Sequence, residues 1–600
     1  MRFGRISKAI GLAAAAALAL SACATQGPGQ GTSPTGQASA KQGGTVTIAE
    51  VNGFSSFNPG TADGNSDVNG HIGYATHSNF IYIDNKLNIV RNEKFGTYEK
   101  VSDDPLTVKY TVNEGVKWSD GTQVSAADLL LTWASGSAFY DDAKKDPNTG
   151  DIVSGTVYFT TAADTSGLNL TEFPELGADG RSLTIKYSKP FADWELAFGT
   201  PGNGGVDIPA HVVASKAGLS DTDALVDLLK GIKRGDPEAQ FPANETLKKV
   251  AEVWNTAFDT KTLPADTSLF LSNGPFVVKD IVPEQSLTLV RNKDYTWGPV
   301  PHVDEVVVRV IGQAPAQVQA LKNGEVDIIA PQASADTVEQ IKAVPGATLL
   351  EGKQLSYDHL DLNFSGVFAD KDVRTAFMLT VPRKDIVDKL QRKIDPEAAP
   401  LDSQLFVPDQ AAYAQSVKDN GSSAYQDVDI DKAKQLLNGK EPEVRILYNK
   451  DNPNRVDSFS LIRESAAQAG FKVVDGGLGA SDWSKALGNG TYDAAVFGWI
   501  NSGVGVTGTP QIFKTGSGSN FNGFSDTEAD KLMDELVLTT DKAKQDELQQ
   551  KIDKRIWDSS YGLPLFQSLD IKAYSDKVDG VKQMANQTGA WWNIWEWSVK

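Results

Sequence analysis

The chain is poor in the residues from which redox, metal and nucleophilic sites are built. It has one cysteine in 600 residues, Cys23, so an internal disulfide is excluded. The five histidines are scattered, with no HExxH motif and no Cys/His cluster, so the sequence predicts no metal site. A GxSxG nucleophile elbow is also absent. These absences argue against an enzyme and against a bound cofactor.

Positive charge and long apolar runs are scarce as well. Lys and Arg number 57 against 77 Asp and Glu, which gives a formal net charge of −20 at pH 7. Such a chain would be repelled by nucleic-acid phosphates, so we expect no nucleic-acid partner. Beyond the N-terminal segment, no apolar run approaches the ~18 residues that a transmembrane helix requires.

Residues 1–22 have the three-part composition of a bacterial export signal. Three basic residues precede an apolar run over residues 9–20. A run of about a dozen residues is too short to cross a hydrocarbon core of ~30 Å, which favours a signal peptide. The following Leu-Ser-Ala-Cys sequence resembles a bacterial lipobox. Cys23 is then expected to be the lipidated first residue of the mature protein, anchored to the outer face of the cell membrane.

Residues 23–43 are predicted to form a flexible tether. Gly, Ser, Thr, Pro, Gln and Ala make up nearly all of this segment, which holds no aromatic or large aliphatic side chain. It cannot bury enough apolar surface to offset the entropy of ordering. An ordinary secretory signal followed by a chance cysteine is the alternative for this N-terminus.

The rest of the chain alternates strand and helix signals, which indicates an α/β architecture. Residues 107–112 alternate polar and apolar side chains, as in a half-buried strand. Ser125 and Asp128 form a capping box that predicts a helix start. A strand, a helix and a strand follow one another over residues 445–474, which predicts a parallel pair of strands.

Two polar stretches, residues 144–171 and 407–426, are predicted to be surface loops of low order, because they are rich in Ser, Asp and Gly. Near the C-terminal end, a capping box beginning at Ser525 predicts a helical stretch, and Asp541 is expected to start its second half.

Six segments match, in order, the motifs of one protein family. The most specific is YTVNEGVKWSDG over residues 110–121, which precedes the capping box and Trp133. The other five are Gly274–Val278, Ala320–Asp327, Leu362–Arg383, Tyr492–Trp499 and Gly562–Phe566. In this order they resemble the family 5 extracellular solute-binding proteins of ABC importers, the dipeptide- and oligopeptide-binding group.

The resemblance implies a two-lobed, periplasmic-binding-protein-like fold of type II, similar to its large cluster C members. A first lobe of residues 44–280 plus 561–600 and a second lobe of residues 281–560 would enclose a ligand cleft. The lobes would close on the ligand, and the loaded, monomeric protein would deliver it to ABC permease subunits.

The resemblance also implies where the ligand is held. The Tyr492–Trp499 segment ends in Phe-Gly-Trp at residues 497–499. In peptide binders of the family, an Asp three residues after this Trp pairs with the peptide ammonium; here that position is Ser502. Candidate contacts are Phe54, Ser56, Phe57 and Asn58 from the first lobe, and Tyr357, Asn363, Phe364, Trp499, Asn501 and Ser502 from the second.

The ligand class stays open at this point. An oligopeptide is the first expectation, with Asp361 as a substitute acid for the ammonium group. An oligosaccharide is the alternative, since four tryptophans near the C-terminus offer either stacking platforms or core packing. A surface sensor on the same fold, and a secreted hydrolase, are alternatives of other classes.

A glycine-rich stretch over residues 503–508 matches the GxGxxG pattern of dinucleotide sites. Pro510 is expected to interrupt the helix that should follow such a motif. We therefore predict a glycine-rich loop at the mouth of the cleft and no nucleotide site.

Overall fold

The computed structural model describes residues 42–145, 152–162, 165, 167–500 and 503–600. These belong to one compact unit, Lys41–Lys600. The predicted signal peptide, Cys23, most of the tether, Asn501 and Ser502 lie outside the described residues. No helix in the described ranges combines the length and apolar content needed to cross a membrane.

Twenty strands are formed by the described residues. Short β-branched and aromatic runs between Gly, Asn and Asp turns make most of them. Their bounds are β1 Thr45–Glu50, β2 Ile81–Ile83, β3 Ile89–Arg91, β4 Gly96–Asp103, β5 Leu106–Val112, β6 Lys144–Lys145, β7 Ile152–Ser154, β8 Glu175–Leu176, β9 Ser182–Lys186, β10 Phe276–Val282, β11 Ser286–Arg291, β12 Glu305–Val310, β13 Ile328–Ile329, β14 Ala347–Leu362, β15 Glu443–Asn449, β16 Lys472–Leu478, β17 Ala494–Ile500, β18 Gly562–Ser575, β19 Val578–Asp579 and β20 Ser598–Val599.

Sixteen α-helices lie between these strands in the described ranges. Side chains of Ser, Asp or Asn cap the N-terminus of most of the longer ones. Their bounds are α1 Asp67–Thr76, α2 Ala126–Gly136, α3 Ala210–Lys216, α4 Thr222–Gly231, α5 Glu245–Thr256, α6 Ala314–Asn323, α7 Ala335–Lys342, α8 Lys371–Met378, α9 Arg383–Leu390, α10 Tyr413–Asp419, α11 Ile430–Leu437, α12 Pro453–Ala467, α13 Ala480–Gly488, α14 Gly508–Phe513, α15 Thr527–Leu538 and α16 Lys542–Asp558.

A ten-stranded mixed sheet runs through the molecule in the order β10-β11-β12-β1-β13-β18-β14-β17-β15-β16. Each half of this sheet contains parallel pairs: β1 pairs with β12 and β13 in one half, and β15 pairs with β16 and β17 in the other. The strands between these two groups pair antiparallel. A separate four-stranded antiparallel sheet has the order β4-β5-β9-β8.

Strands β14 and β18 connect the two large hydrophobic cores. The first core is built from residues 46–308 and 578–597 together with Ile328, and the second from residues 360–566. Leu350 and Tyr574 pack against the first core, whereas Leu360 and Leu563 belong to the second. The β14–β18 ladder shifts register between Lys353 and Tyr357. This irregularity lies on the strand pair that joins the cores, and irregularities of this kind bend a strand locally.

Several local predictions are confirmed. Ser125 caps α2, and the Asp128 carboxylate accepts the Ser125 N–H, which completes the predicted capping box. Strands β15 and β16 pair in parallel over seven residues, as the strand–helix–strand order predicts. Asp541 caps α16 and so begins the second half of the C-terminal helical stretch.

Two helix-end predictions were wrong. The N-cap of α15 is Asp526, one residue after the predicted Ser525, because the Asp526 carboxylate accepts the N–H groups of both Glu528 and Ala529. Pro510 does not prevent a helix, since α14 begins at Gly508 and holds the proline in its first turn, where its missing N–H costs no hydrogen bond.

The stretch 407–426 is not a loop of low order. It contains α10, and two of its polar side chains, those of Ser416 and Asn420, are buried against Asp553. Ser416 Oγ and Asn420 Nδ2 donate to the Asp553 carboxylate at 2.6 and 2.9 Å, and Ser403 Oγ donates at 2.8 Å. Ser416, which the sequence predicted to lie in a surface loop, thus donates to the buried Asp553 carboxylate.

The described part of the stretch 144–171 is also partly packed. Tyr158 and Phe159 are buried, and the Phe159 ring lies 5.6 Å from that of Trp254. Strands β6 and β7 form a hairpin within it. The prediction of a surface loop holds for the exposed β7 and is wrong for these two aromatic residues.

Candidate ligand-binding site

A cavity of about 610 Å³ lies between two sets of apolar side chains. One wall carries side chains of the first core, such as Tyr74, Phe191 and Trp254. The facing wall carries Val506 and Phe513, which belong to a smaller core with α15 and α16. The volume falls within the ~300–1,000 Å³ of sites for small ligands.

The glycine-rich loop 503–508 closes one side of this cavity and is held by an aspartate from the opposite wall. Asp193 Oδ2 accepts the backbone N–H of Val506 at 2.8 Å and of Thr507 at 3.0 Å. Asp193 is buried, with 7% of its surface exposed. We call Asp193 and these two N–H groups the Asp193 latch. It joins segments more than 300 residues apart in sequence across the cavity.

Gly505 lets the 503–508 loop approach Asp193 closely. Its φ is +81°, and a Cβ atom there would lie 2.6 Å from Asp193 Oδ2 and 2.8 Å from a methyl group of Leu196. A larger residue would therefore collide with the carboxylate as well as adopt a strained backbone. The predicted loop at the cleft mouth thus lines the cavity, through residues 504–508.

A histidine from α1 fixes another part of the wall. One ring nitrogen of His71 contacts Glu50 at 3.0 Å, and the other contacts the backbone oxygen of Gln587 at 3.0 Å. Burial alone would lower the pKa of His71, but the charge and hydrogen bond of Glu50 outweigh it and raise the pKa to about 9. His71 is therefore an imidazolium at neutral pH and holds the 586–588 segment, which lines the cavity.

Three of the ten predicted contact residues line the cavity: Asn58, Tyr357 and Trp499. The polar atoms of two of them are already engaged. Asn58 Nδ2 donates to the Trp254 carbonyl and its Oδ1 accepts from the Gly60 N–H, while the Tyr357 hydroxyl donates to the Gln404 carbonyl at 2.6 Å. These two residues shape the wall more than they offer hydrogen bonds.

Trp499 is held between other rings. It stacks at 5.8 Å on Phe521 and at 6.1 Å on His359, with interplanar angles of 6° and 9°. Its indole N–H is buried and has no acceptor among the described residues. Packing fixes this ring in the cavity wall.

Five predicted contacts lie away from the cavity lining. Phe54 and Phe57 pack against each other in the first core with ring centroids 4.7 Å apart. Ser56 is buried and its Oγ accepts the Asn58 N–H. Asn363 bonds to the Tyr492 carbonyl and Ser365, and Phe364 packs under Arg374. Asn501 and Ser502 lie outside the described residues.

Asp361, the predicted substitute for the acid of the peptide binders, lies inside the protein. It is buried with 2% exposure and is absent from the cavity lining. His359 Nδ1 contacts one of its carboxylate oxygens at 2.6 Å, and the Tyr561 hydroxyl donates to the other at 3.0 Å. The carboxylate is thus committed to this internal cluster.

The C-terminal tryptophans are core residues. Trp591 and Trp597 are almost fully buried, and their rings lie 5.7 Å apart. The Trp591 indole donates to Glu50 at 2.7 Å. None of the four C-terminal tryptophans is part of the cavity lining, so of the two interpretations the core-packing one is confirmed.

Sequence reasoning missed four amide side chains of the cavity wall: Asn65, Asn203, Gln511 and Gln587. None of these side chains hydrogen-bonds to another described residue. They lie on loops and on a short helix that have no motif of their own. Only the three-dimensional arrangement brings them to one cavity.

A search of known families and structures gives the context for this cavity. The family described as bacterial extracellular solute-binding proteins, family 5, matches residues 93–521. The chain belongs to this family. The predicted membership of family 5 is thereby confirmed, and five of the six sequence segments lie within the matched residues.

Three similar proteins represent the relatives. An uncharacterized lipoprotein of Mycobacterium leprae is 24% identical, with 98% of each chain covered. The structure of the periplasmic EDTA-binding protein EppA has a TM-score of 0.77 at 22% identity, and the match covers 94% of this chain and 97% of that one. The oligopeptide-binding protein AppA of Bacillus subtilis, in complex with a nonapeptide, has a TM-score of 0.72 at 19% identity, over 94% of this chain and all of AppA. The predicted two-lobed α/β fold of this family 5 protein is confirmed by these likenesses.

Proposed function

We propose that this family 5 protein is the lipid-anchored solute-binding subunit of an ABC importer, which captures a solute in its cavity and delivers it to the permease. The observation that carries the proposal is the cavity of about 610 Å³, whose two walls are joined by the Asp193 latch. A ligand that touches both walls favours the closed arrangement by as much as it binds that arrangement more tightly.

The lobes are proposed to span residues 44–280 plus 561–600 and residues 281–560. Strands β11 and β12 pair with β10 and β1, and their buried side chains belong to the first core. This pairing favours moving the first boundary from residue 280 to about residue 310. The β14–β18 pair is then the crossing segment about which the lobes turn.

An oligopeptide is the ligand that the relatives support, since AppA of Bacillus subtilis is seen with a nonapeptide. An oligosaccharide is the second candidate, since the cavity lining includes the amide side chains of Asn65, Asn203, Gln511 and Gln587, which can donate to and accept from hydroxyl groups. We expect a ligand of one class to raise the Tm of the full-length protein without turnover. A ligand at 100 times its Kd would stabilise the protein by about 2.7 kcal/mol. The measurement is a Tm screen against a peptide library and an oligosaccharide library. No shift in Tm with either library, together with no co-purified solute, would contradict solute capture.

The lipid anchor is proposed to sit on Cys23, in line with the lipoprotein name of the mycobacterial relative. Cys23→Ser should move the protein from the membrane fraction to the medium, because no thiol remains for lipid attachment. Ser33→Ala, within the tether, is the matched control and should stay with the membrane. Equal membrane fractions for both variants would refute the anchor.

A further inference from the structure

The charged side chains in the described lining of the cavity are both carboxylates, those of Asp193 and Asp207. No Lys, Arg or His side chain is part of that described lining. The whole chain is acidic as well, with a formal net charge of −20 at pH 7. The electrostatic field of such a wall attracts cations and repels anions.

One oxygen of Asp193 is left for a ligand. The latch uses Asp193 Oδ2 alone, which accepts the N–H groups of both Val506 and Thr507. Asp193 Oδ1 has no donor among the described residues, although the side chain belongs to the cavity lining and only 7% of the residue is exposed. A buried carboxylate oxygen without a donor is unfavourable, so a ligand that donates to Oδ1 gains affinity from that bond.

Asp207 is a less direct anchor. One of its oxygens accepts the N–H of Gly202 and the other accepts that of Gly205, both at 3.2 Å. Its carboxylate therefore contributes negative charge to the wall, whereas Asp193 Oδ1 is the oxygen that no described backbone group occupies.

A protonated nitrogen is the donor that suits Asp193 Oδ1 best. A hydrogen bond between a cation and a carboxylate is about twice as strong as a neutral one. A carboxylate on the same ligand would find no cationic side chain in the described lining, and burying an unpaired charge is strongly unfavourable. The carbon chain of an amine has apolar partners in the same wall, among them Phe191 and Trp254.

We propose that Asp193 Oδ1 binds a protonated amine or guanidinium group, and that the captured solute is an organic cation without an acid group. This step rests on the proposed role in solute capture. The ligand charge would then lie at the Asp193 latch itself. Closure of the cavity and recognition of the solute would use the two oxygens of one carboxylate.

Pairs of solutes that differ in charge test the assignment by calorimetry on the full-length protein. Cadaverine is compared with lysine, and agmatine with arginine, because each amine is the amino acid without its carboxylate. The diol with the same carbon chain is the uncharged counterpart of cadaverine, and triacetylspermidine is that of spermidine. We expect at least one amine to bind, and its counterparts to bind at least tenfold more weakly. A counterpart that binds as tightly as its amine would overturn the inference.

Asp193→Asn separates recognition of the ligand from the latch. The asparagine keeps one oxygen that can accept the N–H groups of Val506 and Thr507, but it loses the negative charge. Affinity for the amine should fall about ten- to a hundredfold, the loss of one charge-assisted bond. Deuterium uptake over residues 503–513 should stay within twofold of the wild type. An unchanged amine affinity would overturn the inference.

Two control variants keep the Asp193 carboxylate. Asp179→Asn changes an aspartate outside the described lining whose Oδ1 also accepts two backbone N–H groups, and it should leave amine affinity unchanged. Thr507→Pro removes one N–H of the latch at a φ of −66° that suits proline, and it should cost less amine affinity than Asp193→Asn. An equal loss in Thr507→Pro would assign the effect to the latch and overturn the inference.

The failure of this assignment differs from the failure of the proposed function. If a peptide or an oligosaccharide binds and no amine does, solute capture stands and the organic-cation assignment is refuted. If no amine, peptide or oligosaccharide binds, and no solute co-purifies, solute capture itself is refuted together with the assignment.

Discussion

The Asp193 latch predicts which amides become exposed when the cavity opens. In Asp193→Ala the N–H groups of Val506 and Thr507 lose their acceptor, while the side chain that is removed is small and already at the cavity wall. Each hydrogen bond to a carboxylate contributes about 1.5 to 3 kcal/mol. Since both share one oxygen, we take the lower value for each, which gives about 3 kcal/mol for the closed arrangement.

Hydrogen exchange measures this quantity without knowledge of the ligand. A loss of about 3 kcal/mol in local stability speeds the exchange of the two amides about 100-fold, because every ~1.4 kcal/mol is a factor of ten. The experiment follows deuterium uptake over residues 503–513 in the wild type and in Asp193→Ala. Small-angle scattering should also show a larger radius of gyration for the variant.

Asp179→Ala is the matched control. Asp179 Oδ1 likewise accepts two backbone N–H groups, of Arg181 and Ser182, at 3.0 and 2.9 Å, but within a single turn. Its loss should speed exchange only at that turn. The latch would be refuted if exchange at residues 506–507 in Asp193→Ala stayed within twofold of the wild type, or rose equally in Asp179→Ala.

Three further predictions concern single residues. The raised pKa of His71, about 9 against an ordinary 6.5, means that its stabilising charge is fully present below pH 6.5 and is lost as the pH rises through 9. The stability advantage of the wild type over His71→Gln in urea unfolding should therefore fall, by up to about 3 kcal/mol, between pH 6 and pH 10; a constant difference would contradict it. Asp553→Ala leaves several buried donors without an acceptor and should lower the free energy of unfolding by about 3 kcal/mol or more, seen as a lower Tm. Gly505→Ala should speed exchange in the 503–508 loop by displacing Asp193, whereas Gly439→Ala, with a similar φ of +80° and open space, should leave that loop unchanged.

Local elements follow from the sequence because their signals are local. The Ser125–Asp128 capping box and the Asp541 cap are each satisfied within three residues, and the structure places both as predicted. The Ser525 cap was one residue off because three adjacent residues offer a side-chain oxygen and only the backbone geometry selects Asp526. Pro510 is compatible with helix α14 because it lies in the first turn, where its backbone nitrogen would have no acceptor within the helix.

The site was harder to predict than the fold. Trp499 of the Phe-Gly-Trp sequence and Tyr357 were both predicted as contacts; their strands β17 and β14 pair directly, and both residues line the cavity. Phe54, Phe57 and Phe364 pack in or against hydrophobic cores, and an aromatic side chain in a core has the same sequence signature as one in a binding site. Asn203 and Gln511 had no signature, because an amide on a loop or on a short helix is ordinarily solvated.

The sequence by itself indicated the family and the α/β order of elements, because both are written in contiguous residues, and in the same way it predicts an export-type N-terminus. Only the tertiary structure decided which polar groups are left for a ligand. Asp193 and the 503–508 loop are separated by more than 300 residues, and no local pattern tells that one occupies the donors of the other. Hydrogen-bond partners across a fold depend on chain topology, and it is topology that brings Asp193 to the 503–508 loop and the neutral amides to the cavity lining.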